Sequence, residues 1–141
     1  MMKLKHFHPE EPGWKGNFHK VNGLLLLLLD ALREEIGHPF VVHCAYETGG
    51  HSPNSQHYLG NAVDFHIEGL SFPEAIERME EALERLQVAD RVGFGIYPDW
   101  NNPGFHLDVR NVGRKVRWGR IGEQYVSYQE ALEYTYAKFT Q

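Results

Sequence analysis

Two short segments hold the residues whose types and spacing could do chemistry: Ser55-Gln56-His57-Tyr58-Leu59-Gly60-Asn61-Ala62-Val63-Asp64 and Phe105-His106-Leu107-Asp108-Val109-Arg110. Each sets a histidine and an aspartate into a stretch that otherwise reads as a hydrophobic strand. Aspartate is a poor strand former, and a half-buried carboxylate is costly unless something pairs with it. Two such segments suggest one shared partner, and a divalent metal is the simplest candidate. Two imidazoles and one carboxylate, with a fourth position open, make the ligand set of a catalytic zinc site. The chemistry would be hydrolysis by a metal-activated water.

These residues need elements that bring them together. In Asn61 to Ile67, Ala62, Asp64 and His66 share one face, and Val63, Phe65 and Ile67 share the other. Phe105 to Arg110 alternates the same way, with His106, Asp108 and Arg110 on one side. If the two strands are neighbours, Asp64, His66, His106 and Asp108 meet on one polar surface. His57 stands on the loop entering the first strand, and Gly60 lets that loop bend back. His57, Asp64 and His106 can then converge. An alternative arrangement leaves His57 and His66 as ordinary surface or hydrogen-bonded histidines and pairs Asp64 with an arginine. Spacing alone keeps both open.

The remaining pattern is mixed. Phe18 to Ile36, with six consecutive leucines, predicts a largely buried helix stopped by Gly37 and Pro39. Phe40 to Ala45 predicts a buried strand, in which Cys44 is a small core residue. Glu47 to Gln56 is a loop. Ser71-Phe72-Pro73-Glu74 opens a helix to about Leu86, and Ser127-Tyr128-Gln129-Glu130 opens one to about Phe139. Arg91 to Tyr97 and Val116 to Gly119 predict further strands. Helices and strands do not alternate regularly, so the fold class is α+β: a small, mostly antiparallel sheet packed by helices.

At 141 residues the chain reads as one domain, residues 1–141. The net charge of −5, with no basic stripe, argues against nucleic acid and against anionic membranes. The leucine run meets Asp30 at once, far short of a membrane span. No cleavable export signal is legible, so the chain either works in the cytoplasm or is delivered by other means. One cysteine permits no intrachain disulfide. No heptad seam appears, and a monomer is expected. Gly93-Phe94-Gly95 is no nucleotide loop, because it lacks the third glycine and a following helix.

Ser55-x-His57-x-x-Gly60-x-Ala62-x-Asp64 resembles the SxHxxGxAxD motif of the M15 zinc peptidases at all five defined positions. That family includes D-alanyl-D-alanine carboxypeptidases, dipeptidases and phage endolysins, and it shares a fold with the hedgehog signalling domain. Gly93-Phe94-Gly95-Ile96-Tyr97-Pro98, Phe105 to Arg110 and Arg117-Trp118-Gly119 resemble a branch with a GxGxYP…FxHxDxR…RWG pattern. The resemblance spans about residues 24–120. It implies zinc held by His57, Asp64 and His106. It places Ser55 where a serine supports the site, and Asp108 where an acid orients the last histidine. The implied substrate is a peptide or a peptidoglycan fragment.

The chain departs from the family at two positions. Where relatives have Ser-Gly-Tyr-Arg, with an arginine able to pair with a substrate carboxylate, it has Cys44-Ala45-Tyr46-Glu47. Where many relatives carry a catalytic acid three residues before the last zinc histidine, it has Pro103. Asp99 is the first substitute for that acid, with Asp108 and Glu47 behind it. Glu47, His51 and Trp100 are candidates for lining the substrate cleft, Trp100 as a stacking platform. Tyr97 is expected to pack in the interior, and His43 to be structural. Two functions follow. One is a zinc carboxypeptidase or endopeptidase acting on peptidoglycan stem peptides or a related peptide. The other is a metal-containing binding module of the same fold without hydrolysis.

Overall fold

The computed structural model describes residues 3–110 and 112–140. Among them the chain forms three α-helices, α1 Gly23–Ile36, α2 Phe72–Arg85 and α3 Tyr128–Phe139. The strands are β1 Phe40–Cys44, β2 Ala62–Ile67, β3 Val92–Tyr97, β4 Gly104–Val109, β5 Val116–Ile121 and β6 Gln124–Val126. They make one six-stranded sheet in the order β1-β2-β4-β3-β5-β6. Every pairing is antiparallel except β3 with β5. The α+β class expected from the sequence is the one observed.

The helix starts follow local chemistry. The Ser71 hydroxyl accepts from the Glu74 backbone N–H, and Ser127 does the same for Glu130. Each cap satisfies a donor that the first turn would otherwise leave unpaired. The first helix begins later than the leucine-rich pattern suggested. Phe18–Lys20 forms a separate 3₁₀ turn, and the Asn22 side chain caps α1 by accepting from Leu24 N. Gly37 closes α1 in the left-handed region, at φ 75°. The leucine run is also less buried than expected. Leu25, Leu26 and Leu29 are in the core, but Leu24 is 70% and Leu27 49% exposed.

The core lies on one face of the sheet. Val63, Phe65 and Ile67 of β2 join Phe105 and Leu107 of β4 and Phe94 and Ile96 of β3 in one apolar cluster. Leu25, Leu29 and Leu32 of α1 and Met79 and Leu83 of α2 close that cluster from the helical side. Phe40 stacks on Phe65 at 4.9 Å, and Phe94 stacks on Phe105 at 5.2 Å. The turn-rich start of the chain is docked as well: Leu4, Phe7 and Trp14 are buried. With the apolar residues committed to this face, alternation sends the His and Asp residues of β2 and β4 to the other.

Two strand details depart from the sequence reading. β5 runs to Ile121, and β6, which the sequence reading did not include, pairs with it. In β1, Val42 pairs with Phe65 but Cys44 pairs with Asp64, so His43 is an inserted residue. This bulge carries Cys44 off the core face and onto the face of Asp64.

Candidate metal centre

The register of β2 against β4 puts Asp64 directly opposite His106 and Ala62 opposite Asp108. From the other flank, β3 sets Gly93 opposite Asp108 and Gly95 opposite His106. Both glycines are there for space. A Cβ on Gly93 would lie 2.6 Å from Asp108 Oδ1, and one on Gly95 would lie 2.6 Å from the Trp118 ring.

His57 arrives from a 3₁₀ turn, Gln56–Leu59. Ser55 caps that turn, its hydroxyl accepting from His57 N at 3.2 Å. Gly60 ends it at φ 72°, where an added Cβ would come within 2.2 Å of the Lys20 carbonyl oxygen. The turn is thus wedged between β2 and the segment before α1.

Three ring and carboxylate atoms meet here. Asp64 Oδ1 lies 3.1 Å from His57 Nε2 and 3.1 Å from His106 Nδ1. The donor atoms of His57, Asp64 and His106 all fall within 4.8 Å of one another, and all three residues are buried. The far nitrogen of each ring is engaged. His57 Nδ1 lies 2.7 Å from the Ala45 carbonyl oxygen, and His106 Nε2 lies 2.7 Å from Asp108 Oδ2. Both far partners are acceptors that hold the rings, so a bound ion would take the inward nitrogens, which without it donate to Asp64. The donor set therefore fits a divalent metal such as zinc, with ligands already oriented.

Asp108 is fully enclosed. Its oxygens accept from Gly93 N at 3.1 Å, from Arg110 Nε at 2.6 Å and from Arg110 Nη2 at 2.7 Å, besides His106. Burial alone would raise its pKa, but the Arg110 and His106 hydrogen bonds hold the carboxyl below its ordinary value. Asp64 behaves likewise: burial opposes ionisation, and bonds from His106 and His57 overcome it. His106 is the converse. Burial disfavours its charge, yet Asp108 and Asp64 raise its pKa to about 9.

The triad opens onto a cleft of about 710 Å³. His51, Ser55 and Trp100 are among the residues that line it. The His51 ring stacks on His57 at 4.1 Å, and Trp100 stacks on Tyr97 at 4.3 Å. Tyr97 is buried as expected, but it also borders the cleft and accepts from Trp118 Nε1 at 3.0 Å.

Glu47 and Asp99 are not among the residues lining this cleft. Glu47 pairs with Lys15 at 2.7 Å. Asp99 faces α3 and the β5–β6 turn, accepting from Tyr134 Oη, Lys138 Nζ and Gly122 N. His66 shares the polar face but pairs with His43, their ring nitrogens 2.5 Å apart, rather than with the triad.

Cys44, Trp118, Arg120 and Tyr125 are among the cleft or site residues not singled out from the sequence as site candidates. The Cys44 thiol donates to Asp64 Oδ2 at 3.3 Å. For β5 a signal was present. Val116, Trp118 and Arg120 alternate onto one strand face, and all three line the cleft.

No family model matches the sequence, and the comparison with curated proteins found no match. Among solved structures the chain is similar to the L-Ala D-Glu endopeptidase ChiX of Serratia marcescens, at 13% identity and a TM-score of 0.46. The match covers 70% of this chain and 87% of that one.

Proposed function

We propose that this protein is a metal-dependent hydrolase that cleaves an amide bond in a peptide, with zinc held by His57, Asp64 and His106. The observation that carries this reading is the meeting of two imidazole nitrogens on one buried carboxylate oxygen at the wall of a cleft. The complete SxHxxGxAxD pattern supports a zinc carboxypeptidase or endopeptidase of the M15 type. It also supports peptidoglycan stem peptides as the substrate class. When bound, zinc would polarise the scissile carbonyl and make a water acidic enough to attack near neutral pH.

The chain's own residues divide the remaining work. Asp108 acts as a positioning residue: it holds His106 by Nε2 and leaves Nδ1 for the ion. Ser55 holds the turn that carries His57. Neither carboxylate oxygen of Asp108 has room for a substrate proton, since four donors already occupy them. His51 is the titratable cleft side chain stacked on a ligand. Burial, then the neighbouring His57, lowers its pKa and favours the neutral ring, which is the form that accepts a proton.

The Tyr97–Trp100 pair offers an apolar wall for the substrate. Arg120 offers a guanidinium whose buried Nε has no hydrogen-bond partner. Among the described residues Arg120 makes no ion pair; Nη1 and Nη2 donate to Tyr125 Oη and the Glu123 carbonyl, and an acidic group of the substrate would compete with those neutral acceptors.

Zinc-loaded protein incubated with purified peptidoglycan should release fragments with new amino and carboxyl termini, read by mass spectrometry. A chelator and His57→Ala should each abolish the release. A folded, zinc-loaded protein that releases nothing would favour the second reading, a metal-containing binding module. The pairing of Glu47 with Lys15, at the position where the resembled M15 pattern has an arginine, and Pro103 in place of an acid speak for that alternative.

A further inference from the structure

Cys44 is a buried thiol that the His/Asp/His triad does not require. The β1 bulge is what brings it to the site. Without the inserted His43, Cys44 would continue the core face of Phe40 and Val42; with it, the thiol stands beside Asp64. The thiol sulfur, one His51 nitrogen and one His57 nitrogen lie within 4.8 Å of one another.

His51 is held in place by its backbone: it accepts from Tyr58 Oη at 2.8 Å and its N–H donates to the same oxygen at 2.9 Å. This second triad has two nitrogens and a sulfur where the first has two nitrogens and a carboxylate. Sulfur donors prefer softer ions than carboxylates do. His57 belongs to both triads, and the Cys44 sulfur lies 3.3 Å from the Asp64 carboxylate of the first, so the two positions overlap.

We propose that the centre offers two mutually exclusive metal positions, His57–Asp64–His106 and an adjoining Cys44–His51–His57 position that takes thiophilic divalent ions such as cadmium. The proposal rests on the metal reading of the first triad through the shared His57. Binding at the second position releases the thiol proton to solvent and leaves a thiolate–metal bond. It also withdraws His57 from the position where the carboxylate serves, so a thiophilic ion acts as an inhibitor that displaces zinc.

The test uses the full chain, stripped with a chelator and titrated with cadmium while thiolate-to-metal charge-transfer absorption is recorded. Wild type, Cys44→Ser and His106→Ala are compared, with circular dichroism to establish that each is folded. The wild type should take up one cadmium per chain with a thiolate band. Cys44→Ser should lose the band and still bind zinc. His106→Ala should lose tight zinc binding and keep the band. A cadmium-loaded wild type without the band, or a band that vanishes in folded His106→Ala, overturns the two-position proposal. In the first of these outcomes normal zinc binding leaves the hydrolase reading standing. Failure to bind either metal would remove both.

Discussion

His106 is held at both of its ring nitrogens. Its Nε2 is held by Asp108 and its Nδ1 faces Asp64. Replacing Asp108 by Asn removes the acceptor charge that orients the ring, while keeping the side chain's size. Zinc affinity of Asp108→Asn should fall by about 10- to 100-fold. Competition with a chromophoric chelator measures this, and unchanged affinity would mean that the ring needs no such support. The same residue sets a pH dependence. Its pKa is raised from 6.5 to about 9 in the folded, metal-free protein. The stabilisation is fully present below pH 6.5 and is lost as pH rises through about 9. Asp64 works in the opposite direction: its carboxyl is depressed, so its contribution is present above pH 3.8 and is lost on acidification. Thermal melts of chelator-treated protein between pH 6 and 10 should show a declining midpoint. A flat profile would contradict the charged pair.

At the scale of elements, the site depends on strand neighbours that make room. Gly95 sits opposite His106, and the Trp118 ring lies over the space its missing side chain leaves. Trp118 in turn packs against His106, ring centroids 5.1 Å apart. Gly95→Ala should displace the indole and cost about 1–3 kcal/mol. A drop in melting temperature, together with weakened zinc binding, would register it. Both helix caps at Ser71 and Ser127 were legible, because a Ser-x-x-Glu pattern acts within one turn. The faces of β2 and β4 were legible too, because alternation has a period of two. The start of α1 was not, since Phe18 to Lys20 has helical composition but belongs to a separate turn ahead of the Asn22 cap. Cys44 was read as a small buried residue and is buried, but the inserted His43 that turns its thiol toward Asp64 is announced by nothing in the side-chain pattern. The role of Asp99 was equally hidden, for a loop carboxylate is directed by whatever packs against the loop.

At the scale of the whole molecule, Asp99 ties the β3–β4 loop to α3. It binds Tyr134 and Lys138 of the helix and Gly122 of the β5–β6 turn. Asp99→Ala should lower stability by about 1 kcal/mol, because these contacts are partly exposed and screened. Zinc binding and peptide cleavage should survive it. Loss of cleavage in a stable, zinc-loaded variant would return Asp99 to the chemistry.

The chain order of the three residues proposed to hold the metal bears on how the molecule assembles. His57 and Asp64 are seven positions apart, but His106 follows Asp64 by 42 and joins only when β4 docks beside β2. The β3–β4 hairpin closes locally; the β2–β4 seam must close across α2, a slower, non-local event. A complete ion-binding pocket therefore exists only after that seam has formed. Zinc should leave the refolding rate nearly unchanged and slow unfolding, so that its stabilisation appears almost wholly in one limb of the chevron. Such a protein would be able to fold before it meets its metal, and the ion would act afterwards as a latch on the finished sheet.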